Sequence, residues 1–92
     1  MKFLATWSVR PGALKTAVDR FLAGEAAPRK GVTLLGRWFK VDSSGGASLY
    51  ETDNPSALFE GAAAWTDLLD IHTSPVIEDA EAGAVMVKVF KQ

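Results

Sequence analysis

His72 is the only histidine in the 92-residue chain, and it stands with Asp70 and Ser74 at alternate positions of a strand-like run. Histidine is the side chain whose ordinary pKa lies near neutrality, which makes it the candidate acid or base. Arg37 is the candidate anchor for an acidic substrate, because its planar fork donates two parallel hydrogen bonds to a carboxylate or enolate. Strand alternation predicts that Thr6, Ser8, Arg37, Tyr50, Thr52 and His72 share one sheet face. Trp38 joins them as a ligand contact, since Gly36 beside it leaves room for a small molecule. The catalytic candidates are therefore His72 and Arg37, and the ligand-binding candidates are Thr6, Ser8, Arg37, Trp38, Tyr50 and His72.

Each residue also has a structural alternative. A single histidine on a strand is more often exposed or hydrogen-bonded than chemical. Arg37 is more often an inter-strand or dimer salt-bridge partner than a ligand anchor, and Tyr50 serves equally as a pocket hydroxyl or an interface anchor. Trp7, Trp38 and Trp65 are most simply core residues, because aromatics dominate burial.

Other chemistries find little support. One histidine and no cysteine leave no zinc ligand set, and no metal site is expected. Haem would have only His72 as an axial ligand, so no cofactor is expected. Gly45-Gly46 leads into a strand without the lysine of a phosphate loop. No Gly-x-Ser-x-Gly elbow is present. Ten basic against eleven acidic residues give a formal charge of -1, which argues against nucleic-acid or anionic-lipid partners. The apolar start at Phe3–Ala5 is broken by Thr6 and Ser8, so a signal peptide is not expected. No apolar run reaches the ~18 residues that span a bilayer. With no cysteine, a cytoplasmic setting is the natural expectation.

The elements that must position these residues follow from periodicity. Residues 1–92 are expected to form one domain, with a hydrophobic fraction of 48%. Lys2–Arg10 alternates as a strand, with Phe3, Ala5, Trp7 and Val9 toward helices and Leu4, Thr6, Ser8 and Arg10 on the other face. Leu14, Ala17, Val18, Phe21 and Leu22 make a helical stripe over Ala13–Ala23, with Gly24 as its stop. The runs 31–41 and 47–53 flank a polar, glycine-ended connection and read as a β-hairpin. Gly36 within the first of these strands predicts a bulge or a close approach to the backbone. Asn54-Pro55 is a helix start, and the helix is expected to reach about Leu68. Asp70–Ile77 reads as a fourth strand with Pro75 at an edge. The tail alternates like a strand over 85–90, yet Asp79 and Glu81 favour a helix entrance, and a helix is the preferred reading.

The resulting order, β-α-β-β-α-β plus a helical tail, predicts a ferredoxin-like α+β fold: an antiparallel sheet with helices on one face. The other face is expected to carry Leu4, Leu35, Phe39 and Tyr50, too much apolar surface to leave wet, so a homodimer is expected.

Thr6-Trp7, Leu34-Leu35-Gly36-Arg37-Trp38, Trp65-Thr66-Asp67-Leu68-Leu69-Asp70 and Pro75-Val76-Ile77-Glu78-Asp79 together resemble a family of short bacterial proteins of unknown function. That family is similar to the dimeric α+β barrel superfamily, whose two sheets face each other across a dimer. The resemblance covers nearly the whole chain. It implies a fold and a cleft and supports the helical tail, but implies no particular reaction.

Three functions remain open at this point. One is a dimeric domain that holds a small acidic or aromatic molecule between the two sheets. The second is a cofactor-free isomerase or monooxygenase using His72 and Arg37. The third is a structural or interaction dimer without a ligand.

Overall fold

The computed structural model describes residues 1–91, and among them four strands and three helices follow one another as βαββαβα. They are β1 (Lys2–Val9), α1 (Leu14–Leu22), β2 (Thr33–Phe39), β3 (Gly45–Glu51), α2 (Pro55–Ala63), β4 (Leu69–Val76) and α3 (Asp79–Phe90). The strands form one antiparallel sheet in the order β2-β3-β1-β4. This is the ferredoxin-like arrangement expected from the pattern, and the tail is helical as preferred.

Local chemistry explains the boundaries. Asn54 caps α2, its side chain accepting from the Ala57 N–H at 3.3 Å, and Pro55 takes the first turn. Gly24 follows α1 at φ 85°, a left-handed value suited to glycine. Pro75 lies on β4, an edge strand where its missing N–H costs no ladder bond on the outer side. The β2–β3 turn is closed by Asp42, whose carboxylate accepts from the Ser44 N–H at 3.0 Å and the Ser44 hydroxyl at 2.6 Å. Those bonds also hold the Asp42 carboxyl below its usual range, the Ser44 hydroxyl being the larger cause.

Two expectations are corrected. Helix α2 ends at Ala63 rather than near Leu68, because the Thr66 hydroxyl donates to the Ala63 carbonyl at 3.0 Å and the chain turns there. That turn delivers Leu68 and Leu69 into the buried cluster with Ala13 and Ala17, against which Trp7, Val9, Trp65 and Ile71 pack. The second correction concerns the hairpin. Register pairs Phe3 with Tyr50 and Ala5 with Ser48, so Tyr50 and Ser48 lie on the helix-covered face. A bulge at Leu35 shifts the β2 register between Leu34 and Gly36, and Arg37 and Phe39 then fall opposite Ser48 and Gly46 on that same covered face. A one-residue offset moves every side chain of a strand to the other face.

The open face therefore carries Leu4, Leu49 and Trp38, with polar Thr6, Ser8, His72 and Ser74 among them. Phe39 and Tyr50, expected there, are on the other side. Helix α3 leaves the β4 edge and buries none of its residues. The radius of gyration, 15.6 Å, exceeds the ~12 Å of a compact chain of this length, and the long dimension is 53 Å.

Candidate functional site

Helices α1 and α2 do not lie flush on the sheet. Between them is a cavity of about 260 Å³, partly open to solvent. Its walls are mainly apolar: Trp7 and Ile71 from the sheet, Val18 and Phe21 from α1, Leu58 from α2 and Trp65 just after it. Phe39 stands edge-on to both Trp7 (5.8 Å between ring centres) and Phe21 (5.2 Å), making a continuous aromatic wall. Gly46 allows this, since it lies opposite Trp7 in the register and the indole rests directly on it.

Three oxygens of the cavity, from Ser48, Ala26 and Tyr50, converge on Arg37; Glu25, Arg29 and Lys40 also line the cavity. Arg37 Nε donates to Ser48 Oγ at 3.2 Å, and Nη2 donates to the Ala26 carbonyl at 2.9 Å and toward the Tyr50 hydroxyl at 3.5 Å. Its guanidinium carbon lies 5.8 Å from the centre of the Phe21 ring. Ser48 is the most buried of the described side chains, at 1% exposure, so Arg37 is held by a fixed acceptor. Among the described residues no carboxylate forms an ion pair with Arg37. The contrast with Arg20 is instructive. Arg20 grips Asp67 through two bonds of 3.1 and 2.7 Å, which raises the arginine and lowers the Asp67 carboxyl below its usual range. Arg37 has the same fork, and its hydrogen-bond partners are all neutral oxygens.

The six sequence-predicted contacts thus divide into two groups. Arg37 and Tyr50 meet in the cavity beneath the helices. Thr6, Ser8, Trp38 and His72 line a second depression on the open face, with Lys40 and Ala47. Thr6 and His72 are register partners there. The Trp38 indole folds over Gly36, whose missing side chain makes the space, and Trp38 remains 59% exposed rather than core. Thr52, expected beside these groups, is buried and donates to the Gly31 carbonyl at 2.8 Å. His72 and Arg37 sit on opposite sides of the sheet, so within one chain they cannot act on the same molecule.

Ser48, Phe21 and Thr73 are cavity residues that the sequence reading missed. Ser48 was within reach of it, because a serine two positions before Tyr50 on a strand must share that tyrosine's face.

Fold and site together define a ferredoxin-like α+β domain with an arginine held by neutral oxygens in an aromatic-walled cavity. The chain belongs to a family described as a domain of unknown function, DUF3303, with the match spanning residues 1–90. No curated protein matches the sequence.

Proposed function

We propose that this domain binds a small aromatic or short apolar carboxylic acid in the cavity between helices and sheet, with Arg37 as its anchor. The observation that carries this reading is a partly buried guanidinium without a carboxylate partner among the described residues, set in a wall of Trp7, Phe21 and Phe39. Burying a cation costs free energy unless an anion or several oxygens compensate, and a ligand carboxylate would complete what Ser48, Ala26 and Tyr50 begin. Size agrees: an apolar cavity of about 150 Å³ takes benzene, so about 260 Å³ takes a ring with its carboxylate.

The test is calorimetric titration with benzoate and octanoate against benzamide and octanamide, on the parent chain and on Arg37→Met. A charge-assisted hydrogen bond contributes about 1.5–3 kcal/mol, or roughly 10- to 150-fold in affinity. The acids should bind better than the amides by that factor, and Arg37→Met should erase the difference. His72→Ala should leave it unchanged, because His72 faces the other way. Equal affinity for acid and amide, or an indifferent Arg37→Met, refutes the assignment. A catalytic role for His72 and Arg37 together has no geometric support within the chain.

The open sheet face favours a second element of the reading, a homodimer in which two such faces pack together. Leu4, Leu49 and Trp38 form its apolar part, and an isologous pair covers both copies at once. A strictly monomeric mass at high protein concentration would overturn it.

A further inference from the structure

The segment from Gly24 to Gly31 crosses from the end of α1 to the start of β2 and forms one wall of the cavity, contributing Glu25, Ala26, Ala27, Pro28 and Arg29. Glycine stands at both ends in the left-handed region, Gly24 at φ 85° and Gly31 at φ 88°. Neither is there for want of space, since a Cβ at either position would meet nothing within 4 Å. Between these two bends the backbone is loosely tied. Its hydrogen bonds run back to Arg20 and Phe21 of α1, within the segment and to Val32, and among the described residues none joins the sheet ladder. The Thr52 hydroxyl holds only the far end, at the Gly31 carbonyl. Two side-chain contacts fasten the middle. Arg37 Nη2 donates to the Ala26 carbonyl at 2.9 Å, and Arg29 reaches α2, where it pairs with Glu60 at 3.7 Å and its stem passes Gly61. The segment is thus a strap that leaves α1, touches α2 and is pinned from below by the sheet.

The strap and a ligand compete for one donor. Arg20 shows how an arginine of this protein grips a carboxylate end-on, with Nη1 and Nη2 each bonded to one oxygen of Asp67. Arg37 has only half of that grip ready. Its Nη1 makes no hydrogen bond among the described residues, while Nη2 is engaged by Ala26 and, at 3.5 Å, by Tyr50. Tyr50 is fixed in the β3 ladder between Phe3 and Leu34. Ala26 lies on the strap and is the acceptor free to move. A carboxylate sets two charged oxygens against one neutral carbonyl, and bonds between opposite charges are the stronger. We propose that the strap is a gate that occupies its own site: the Ala26 carbonyl caps Arg37 until a carboxylate entering the cavity takes Nη2 and unfastens the strap. This rests on the reading of Arg37 as the ligand's anchor and adds to it the control of access to that anchor.

Arg29 and Lys30 lie in the strap, so limited trypsin digestion reports its opening. Cleavage of a transiently open segment follows the population of the open form. Cleavage after Arg20, within α1, measures global unfolding in the same digest. Saturating benzoate should raise cleavage after Arg29 and Lys30 at least about tenfold and leave cleavage after Arg20 unchanged, the factor expected when a hydrogen bond to a charged group is lost. Arg37→Met should be cut at the faster rate with or without benzoate. Glu60→Gln removes the other fastening and should raise strap cleavage about two- to fivefold without ligand, as suits an exposed ion pair. Glu60 is 71% exposed, so this variant keeps the fold. Benzoate that binds by calorimetry yet leaves the strap uncut or protects it overturns the gate and leaves Arg37 standing as the anchor. Benzoate that does not bind overturns the anchor, and the displacement with it. Strap cleavage indifferent to both Arg37→Met and Glu60→Gln overturns the fastening, whatever benzoate does.

Discussion

Gly46→Ala is the most demanding perturbation of the cavity. Gly46 pairs with Trp7 on one side and Phe39 on the other, inside the β2-β3-β1 ladder. A Cβ there would lie 2.6 Å from Trp7 Cζ2 and closer still to the Trp38 carbonyl oxygen. Carbon atoms pack comfortably from about 3.5 Å, so the overlap with the indole alone is about 0.9 Å. The indole can tilt, but only into the cavity. The carbonyl cannot retreat without breaking the ladder. Overpacking typically costs 1–3 kcal/mol, and with one wall made of backbone the upper figure applies, about 3 kcal/mol. For a chain of this length that is a fall in Tm of about 12–24 °C. Thermal unfolding followed by circular dichroism reads it directly. Gly61→Ala is the matched control: it is interior to α2, its new methyl would meet only Arg29 Cγ at 3.8 Å, and helix propensity favours alanine. It should raise Tm by a few degrees. The folded fraction of Gly46→Ala should also bind carboxylic acids more weakly, because Trp7 is displaced into their site. A Gly46→Ala protein melting within about 3 °C of the parent would refute the close packing of Trp7 on this strand.

Two further outcomes follow from single contacts. Asn54→Ala removes the cap on the Ala57 N–H and should cost about 1 kcal/mol, seen as a lower urea midpoint with an unchanged slope. Asp67→Asn bears on pH. Arg20 holds the folded Asp67 carboxyl below its unfolded range, so this contribution is present above that range and fades as acid protonates the carboxylate. The variant should therefore lose stability near neutrality and show a shallower further loss on acidification, measured as urea midpoints from about pH 7 to about pH 3. A variant that tracks the parent at every pH would show the pair to be inert.

Periodicity and punctuation made most of the fold legible. Alternation along Lys2–Val9 and Leu69–Val76 assigned the faces of β1 and β4 correctly. Asn54-Pro55 marked the start of α2, and Gly36 marked both a bulge and the place where Trp38 lies against the backbone. The acids at 79 and 81 outweighed the valines and indicated a helix. Each of these signals acts within a few residues of where it is read.

The site was legible by residue type and not by location. Arg37 and Tyr50 do converge, but beneath the helices instead of on the open face with His72. Alternation states which side chains share a face and leaves open which face that is. The answer depends on how β3 registers against β1, and on one extra residue at Leu35, neither of which is a local property. A polar pair such as Arg37 and Ser48 tolerates either side of a sheet when hydrogen bonds await it, so hydrophobic patterning could not choose. The sequence alone determined the elements, their order and the identity of an unusual arginine. Only the tertiary structure decided that this arginine is enclosed with aromatic rings and neutral oxygens, because enclosure depends on strand register and helix placement summed over the whole chain.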